Sequence, residues 1–200
     1  MNSDMSNLPS EPDNSELNRK KFMTGASNVY DIIEVLALSI SIVYLVFCFI
    51  FRVAVVNGPS MNHTLEDKDN LIVTELFYKP KQGDVIVCQN EYIGYNEPIV
   101  KRVIALAGQT ITVDFENWKV YVDGVELEDD YVNRISGVAM RGWSYGESYT
   151  VPEGHIFVMG DNRNNSLDSR DQRVGAIDER LVIGHVVFRF LPIGSFGTIN

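Results

Sequence analysis

In this 200-residue chain, Ser60 and Lys101 are the candidates for a nucleophile and its base. Ser60 lies in Asn-Gly-Pro-Ser-Met at residues 57–61, where glycine and proline favour a tight turn that would present the hydroxyl from rigid backbone. Lys101 lies in a segment rich in β-branched residues, and in a strand Ile99 and Val103 would share its face. If that face is buried, the ammonium form is disfavoured and the pKa of Lys101 falls. A neutral lysine amine can accept a proton from a serine hydroxyl.

Each of these residues also has an ordinary interpretation. Most Gly-Pro-Ser segments are only turns, and a lysine in an edge strand usually extends its amine into water. Met61, next to Ser60, could be a core residue or part of an apolar surface that contacts lipid. The segment around Lys101 alone favours the ordinary interpretation, so the decision depends on other polar residues.

A polar segment at residues 159–170 contains those other candidates. It follows an apolar, strand-like stretch and combines hydroxyl and amide side chains with two aspartates and two arginines, Asp161, Arg163, Asp168 and Arg170. Sets of this kind usually form a hydrogen-bonded network that makes a site rigid. A solvated surface loop is the alternative for the composition alone.

The composition excludes several classes of function. The formal net charge is −10, and a nucleic-acid-binding surface needs clustered positive charge, so no nucleic acid partner is expected. The three histidines are scattered, without the spacing of a metal site, and the two cysteines lie in or beside apolar segments. Neither a disulfide framework nor a bound metal is predicted, and no cofactor is expected.

An uncharged apolar run at residues 35–51 predicts a membrane-spanning helix. A core helix would usually show a polar stripe, and a cleaved signal peptide would have a shorter apolar stretch followed by small residues. The basic cluster at residues 19–21 precedes the run, which favours a cytoplasmic N-terminus. Three parts are expected in chain order, a disordered cytoplasmic tail, a transmembrane signal-anchor helix and an extracytoplasmic domain, at residues 1–28, 29–56 and 57–200.

The remainder of the chain predicts β structure with almost no helix. Short segments rich in β-branched or alternating apolar residues lie at residues 71–74, 85–88, 100–106, 111–113, 119–122, 125–127, 156–159 and 185–190. Asp123 and Gly124 are typical of a two-residue hairpin turn, because they tolerate positive φ angles. The sequence predicts a mainly β fold, a single antiparallel sheet that is folded over or forms a partly open barrel, preceded by one transmembrane helix.

Taken together, the segments resemble bacterial type I signal peptidases, the serine–lysine enzymes that remove signal peptides from exported proteins. The likeness covers nearly the whole chain after the tail and follows the family's order: the anchor, then residues 58–61, 83–87, 101–104 and 159–170. Each motif is modest by itself, and the ordered combination is specific. A single anchor on a short chain is similar to the Gram-positive form of the family.

The resemblance implies a role for each candidate residue. Ser60 would be the nucleophile, Lys101 the general base, and the Ser166 hydroxyl would orient the lysine amine. Three further residues would support the site through ion pairing, Asp161, Asp168 and Arg170. The backbone N–H of Ser60 would be one oxyanion donor. In some relatives a serine two residues earlier provides the second donor; Gly58 stands there, which leaves its backbone as the candidate.

The resemblance also implies the partners. Signal peptides of secreted preproteins would bind in extended form against an exposed strand edge, with small residues at the −1 and −3 positions. The residues expected to contact them are Met61, Asp84, Val85, Ile86 and Val87. The lipid bilayer is the second expected partner.

Three positions depart from the family pattern: His63 and Ala107 replace prolines, and Asn164 replaces an aspartate that the family often has. These departures leave open a catalytically silent, membrane-tethered module that binds signal peptides without cutting them. An anchored β-domain of structural use is a further alternative. A self-cleaving serine–lysine repressor would be cytosolic, with a DNA-binding segment where this chain has its apolar run.

Two features have no role in this scheme. His63 invites a serine–histidine interpretation, but its short spacing from Ser60 in a turn is no indication that the ring reaches the hydroxyl, and we expect it to be dispensable. Residues 131–149 could contact lipid headgroups through aromatic and basic side chains, or form a variable surface connection.

Overall fold

The computed structural model describes residues 14–89 and 98–199. The chain divides into two compact units, residues 1–49 and residues 50–200. The helix α1 runs over Asn14–Ile50. Its part Val29–Ile50, 22 residues with a mean hydropathy of 2.5, is long and apolar enough to cross a membrane. Within it, the hydroxyls of Ser39 and Ser41 donate to carbonyls one turn earlier, so these polar groups are satisfied inside the helix.

The ends of α1 differ from the expected boundaries. The helix begins at Asn14, so residues 14–28 of the predicted tail are helical, and residues 1–13 lie outside the described part of the chain. It ends at Ile50 and not near residue 56, because Phe51–Val55 form a strand. An apolar run rich in valine suits a strand as well as a membrane helix, so composition alone could not place this boundary.

Within the described residues, twelve strands follow in chain order: β1 Phe51–Val55, β2 Asn70–Thr74, β3 Val85–Cys88, β4 Ile99–Ala105, β5 Thr110–Asp114, β6 Lys119–Val122, β7 Val125–Glu126, β8 Tyr149–Thr150, β9 His155–Met159, β10 Ile177–Asp178, β11 Val182–Leu191 and β12 Gly197–Thr198. Short 3₁₀ helices lie at Arg163–Asn165, Glu179–Leu181 and Ile193–Ser195. The pairings among these described strands are all antiparallel, so the prediction of a mainly β, antiparallel domain is confirmed.

The strands divide between two sheets, where a single sheet was expected. The larger sheet has the order β1-β2-β11-β3-β4-β9-β10, with β12 beside β11, and the smaller has the order β7-β6-β5-β8. The predicted hairpin turn joins β6 to β7 through Asp123 and Gly124, whose φ angles are 52° and 80°. Ile111 and Val120 of the smaller sheet belong to the same buried core cluster as Ile104 and Phe157 of the larger sheet, so this cluster lies between the two sheets.

A second core cluster positions the turn that contains Ser60. It contains Val73 of β2, Val85 of β3 and Val100 of β4, and the two residues Met61 and Leu65 insert into it. Because Met61 and Leu65 are fully buried, the turn that precedes them is held against the larger sheet.

Candidate active site

The turn that carries Ser60 is fixed on both sides. Before it, Gly58 has a φ of 90°, and its N–H donates to Asp67 Oδ1 at 2.8 Å. After it, Met61 and Leu65 are fully buried. The Ser60 hydroxyl is therefore presented from backbone that has little freedom to move, as the Gly-Pro sequence predicts.

Asn162 joins this turn to the polar segment 159–170, which we call the catalytic loop. Its backbone N–H donates to Ser60 O at 3.0 Å, and its side-chain Nδ2 donates to Pro59 O at 3.0 Å. One buried residue thus holds two successive carbonyls of the turn. Holding these carbonyls also fixes the direction of the Ser60 N–H, the expected oxyanion donor.

Lys101 is buried beside this serine. The residue is 4% exposed, and its Nζ lies 2.8 Å from Ser60 Oγ and 3.0 Å from Val100 O. Burial lowers the pKa of Lys101, and the opposing effect of the Asp168 carboxylate does not cancel it. The face of β4 that the alternation pattern assigned to Lys101 is therefore buried, with Val103 on the same side.

Asp161 and Arg102 form the first of two buried ion pairs around this lysine. Arg102 Nε and Nη2 donate to Asp161 Oδ1 and Oδ2 at 3.0 and 2.8 Å, and both side chains are 1% exposed. Thr64 Oγ1 donates to the same Oδ2 at 2.6 Å. Asp161 therefore connects the catalytic loop to β4 and to the segment that follows Ser60.

Asp168 and Arg170 form the second buried pair. Arg170 Nε and Nη2 lie 2.8 Å from Asp168 Oδ1 and Oδ2. Gly160 N–H donates to Asp168 Oδ2 at 2.9 Å, so the carboxylate closes the catalytic loop on itself. Burial alone would raise the pKa of Asp168, but the Arg170 guanidinium and these hydrogen bonds hold it below its usual value.

Gly160 lies where the serine turn and the catalytic loop come closest. A Cβ at this position would lie 2.3 Å from Ser166 Oγ and 2.5 Å from Ser60 O. Ser166 therefore lies close to the nucleophile turn, as the resemblance implies. In the described part of the chain, however, Lys101 Nζ is hydrogen bonded to Ser60 Oγ and Val100 O and not to Ser166 Oγ. The orienting role of Ser166 stays a prediction.

A cavity of about 240 Å³ opens at the serine and lysine. Its lining includes Ser60 and Lys101 together with Val55, Val56, Asn57, Pro98, Ile99 and Val100. A neighbouring apolar groove of about 430 Å³ continues along β1, and Val87 lines it from the opposite side. The open edge beside this groove belongs to β1, because β1 ends the larger sheet and pairs only with β2 among the described strands.

The structure corrects three expectations about this site. Met61 is 0% exposed and packs in the core, so it is not placed to contact a substrate. Strand β3 cannot offer a free edge, because β11 and β4 pair with it on its two sides; of the residues from Asp84 to Val87, only Val87 lines the groove. The Gly58 N–H is bonded to Asp67, so it is not available as the second oxyanion donor.

Sequence reasoning missed the residues that join the segments. Thr64, Asn162 and Gly160 each touch a partner that is distant along the chain, and only Asn162 and Gly160 lie within the segment that the sequence marks as polar.

His63 is exposed, and Ser60 Oγ is bonded to Lys101 instead. A buried amine beside a serine hydroxyl can activate that hydroxyl for attack on a carbonyl, which is the chemistry of a serine hydrolase.

Comparison with known proteins places the chain within this class. The family model described as "Signal peptidase, peptidase S26" matches residues 29–191. The probable signal peptidase I-1 of Synechocystis is 35% identical over 177 residues, 84% of this chain and 85% of that protein. Signal peptidase I of Bacillus licheniformis is 30% identical over 192 residues, 90% of this chain and 97% of that protein. A solved signal peptidase I from Enterococcus faecalis, 30% identical, covers 54% of this chain and 97% of its own, with a TM-score of 0.44.

The chain belongs to the signal peptidase family, peptidase S26. The resemblance recognised in the sequence is thereby confirmed at the level of the family.

Proposed function

We propose that this protein is a membrane-bound serine endopeptidase that removes N-terminal signal peptides from exported preproteins, with Ser60 as nucleophile and Lys101 as general base. The observation that carries the assignment of residues is the 2.8 Å contact between Ser60 Oγ and the Nζ of Lys101, a residue that is 4% exposed. Membership of the signal peptidase family supports the choice of reaction and substrate.

Acylation begins with the neutral Lys101 amine. It accepts the Ser60 proton as Oγ attacks the scissile carbonyl, and a bond forms between Oγ and the carbonyl carbon. The Ser60 N–H donates to the resulting oxyanion, a contribution of about 3–4 kcal/mol for one such donor. The lysine ammonium then protonates the departing amine as the C–N bond breaks. An ester acyl-enzyme remains, and Lys101 is neutral again.

Deacylation repeats the same proton transfers with water. Lys101 accepts a proton from water as the water oxygen attacks the ester carbonyl, and returns it to Ser60 Oγ as the ester bond breaks. Both steps need the unprotonated amine. Because burial lowers the pKa of Lys101, the required form is present at lower pH than for an exposed lysine, and the rate should rise with pH through that pKa.

The cavity supports an extended substrate with small side chains next to the scissile bond. Its volume at the serine is about 240 Å³, and the apolar groove beside it follows β1. An extended peptide can add to the open edge of β1 through backbone hydrogen bonds, with its alternate side chains directed into the groove. Val55, the last residue of β1, and Asn57, two positions later, both line the cavity at Ser60.

The apolar helix supports attachment to a membrane. Val29–Ile50 would span the bilayer, and the basic cluster at residues 19–21 favours a cytoplasmic N-terminus, so the β domain would lie outside the cytoplasm. Ser60 lies only nine positions after Phe51. Such an arrangement would confine the active site near the membrane surface and raise the effective concentration of membrane-inserted signal peptides.

The test is cleavage of a preprotein by the full-length, detergent-solubilised protein across a range of pH. We expect cleavage after a small residue, and a loss of about 1,000-fold or more for Ser60→Ala and for Lys101→Ala. His63→Ala is the matched control in the same turn and should retain most activity. Binding of the preprotein without cleavage would support the silent binding module instead. A His63→Ala loss as large as that of Lys101→Ala would remove the serine–lysine assignment.

A further inference from the structure

The outer side of the catalytic loop contacts residues 138–145, which we call the strap. We propose that the strap positions the catalytic loop and that Asn164 is the residue that fastens the two together. This inference rests on the proposed function, because it concerns the environment of Lys101 as a base. It gives a role to part of the segment 131–149, which the sequence left without one.

Asn164 makes two hydrogen bonds to the strap backbone. Its Oδ1 accepts from the Arg141 N–H at 2.8 Å, and its Nδ2 donates to Ala139 O at 3.1 Å. Only an amide side chain of this length can accept and donate at once in this geometry. An aspartate, which the family often has here, could accept from Arg141 N but would place its other oxygen against the Ala139 carbonyl. The strap contact is therefore matched to the residue by which this chain departs from the family pattern.

Further contacts continue the attachment along the loop. Arg170 Nη1 donates to Arg141 O at 2.7 Å, and the Ser144 N–H donates to Arg170 O at 2.9 Å. The Tyr145 hydroxyl donates to Ser169 O at 3.0 Å. Burial raises the pKa of Tyr145 to about 12, so this hydroxyl keeps its proton over the pH range of an activity assay. The strap thus holds two successive residues, Ser169 and Arg170, through three hydrogen bonds.

The other side of the strap is attached to the smaller sheet. Trp118 Nε1 donates to Val138 O at 2.7 Å, and the Met140 N–H donates to Phe115 O at 2.8 Å. Met140 is buried, and the Trp143 ring packs 6.0 Å from the ring of Phe157. The strap therefore transmits the rigidity of the β5–β6 hairpin to the catalytic loop. Trp143, an aromatic residue of the segment 131–149 that could have contacted lipid headgroups, is used in this internal packing.

The strap reaches Lys101 through Arg170. The Asp168 carboxylate raises the pKa of Lys101 and the Arg170 guanidinium lowers it, so the balance depends on where the guanidinium is held. The Arg141 carbonyl is one of the acceptors that hold it, with Asp168 and Arg163 O. If the strap detaches, Arg170 loses this acceptor and is held only by Asp168 and Arg163 O, so its guanidinium is fixed less closely beside the lysine. The Asp168 charge is then less compensated, and less of Lys101 is neutral at a given pH.

The experiment compares Asn164→Ala with wild type in full-length, detergent-solubilised protein, by cleavage of a preprotein from pH 6 to pH 10. We expect the alkaline rise of kcat to move to higher pH. Near neutral pH, kcat should be about three- to tenfold lower than in wild type, the size expected for one or two lost hydrogen bonds. At high pH the difference in kcat should become smaller. KM should change little, because no strap residue lines the cavity at Ser60. Asn70→Ala, which removes an asparagine of β2 whose side chain donates to Lys68 O, outside both the strap and the catalytic loop, is the matched control and should follow wild type.

Tyr145→Phe provides a second variant that keeps the packing of the ring and removes only the bond to Ser169 O. It should shift the pH profile in the same direction by a smaller amount, and it decides the test if Asn164→Ala does not fold. Profiles that coincide with wild type, or a loss equal at every pH, would overturn the strap proposal and leave the proposed function intact. A wild-type enzyme without an alkaline rise, or one that cuts without Lys101, would remove the proposed function itself.

Discussion

Two buried ion pairs flank the active site, and they have nearly the same geometry. Arg102 binds Asp161 at 3.0 and 2.8 Å, Arg170 binds Asp168 at 2.8 and 2.8 Å, and all four side chains are 1% exposed or less. The pairs differ in how far apart their two members lie along the chain. Arg102 and Asp161 are 59 residues apart, whereas Asp168 and Arg170 are two apart. The first pair therefore joins separate segments, and the second shapes a single loop.

The two ion pairs have different roles, because each aspartate also interacts with a residue outside its pair. Asp161 accepts from Thr64, so the first pair fixes the segment that follows the nucleophile. Asp168 has the largest opposing effect on the pKa of Lys101, so the second pair adjusts the charge around the base. A buried ion pair by itself is weak support for stability, because the cost of desolvation can cancel its attraction. Here the two pairs are better understood as separate controls of geometry and of protonation.

Gly160→Ala should have the largest effect, because Gly160 touches both systems. It precedes Asp161, its N–H donates to Asp168, and a methyl group there would overlap Ser166 Oγ and Ser60 O. Displacing the nucleophile turn by about 1 Å can reduce kcat about 100-fold, and we expect a loss of that size. The measurement is kcat for preprotein cleavage. Gly194→Ala, at a glycine with open space around its Cβ position, is the control and should behave as wild type. Unchanged kcat in Gly160→Ala would mean that the turn and loop are not as closely packed as described.

Asp161→Asn and Asp168→Asn separate the two roles directly. Each leaves a buried guanidinium without its counter-charge, so each should destabilise the folded state by about 3–5 kcal/mol in thermal unfolding. Their pH profiles should differ. Asp168→Asn removes the largest influence that raises the pKa of Lys101, so its alkaline rise in kcat/KM should move to lower pH. Asp161→Asn should reduce kcat/KM at every pH with a much smaller shift. Equal shifts in both variants would contradict the division between geometry and protonation.

Thr64→Val tests the first pair more gently. It keeps the shape of the side chain and removes the hydroxyl that donates to Asp161 at 2.6 Å. The loss of one hydrogen bond to a charged group should cost about 1.5–3 kcal/mol of stability, with a fall in kcat/KM and no change in the pH profile. Thr150→Val, whose hydroxyl contacts Thr110 in the smaller sheet, serves as the control and should change stability by less than about 0.5 kcal/mol. A shifted pH profile in Thr64→Val would assign the first pair a role in protonation as well.

The contrast between the pairs also shows what the sequence could predict. The second pair lies within one polar segment, and its residues were recognised there together. The contact between Thr64 and Asp161 spans 97 residues, and nothing local to either residue indicates it. The same limit applies to the sheet. Most strands are predicted from local composition, but their order is not. The position of β3 inside the sheet depends on β11 inserting between β2 and β3, which is a long-range pairing. Alternation along β4 places Lys101 among apolar neighbours, but it does not predict the burial of the lysine, because β4, which pairs with β3 and β9, is buried on both faces.

Lys101→Met should have the smallest effect on the free energy of unfolding, and the sign of that effect is informative. Burial lowers the pKa of Lys101 in the folded state, so the unfolded state binds the proton more tightly between that pKa and the ordinary value of 10.5. The stability of wild type should therefore rise with pH across this window, and the buried ammonium should destabilise the fold below it. Replacing it with an uncharged side chain of similar length should stabilise the inactive variant by about 1 kcal/mol near neutral pH.

This gain should shrink as the pH rises, because the folded wild-type lysine then loses its charge. The measurement is thermal unfolding of wild type and Lys101→Met as a function of pH. The control is Lys119→Met in the smaller sheet, where the contact with Glu126 raises the pKa of the lysine, so its replacement should not stabilise the protein. If Lys101→Met destabilised the protein near neutral pH, the ammonium form would be the one that the fold accommodates. Lys101 would then belong with the geometric supports such as Arg102, and the assignment of a neutral base next to Ser60 would fail.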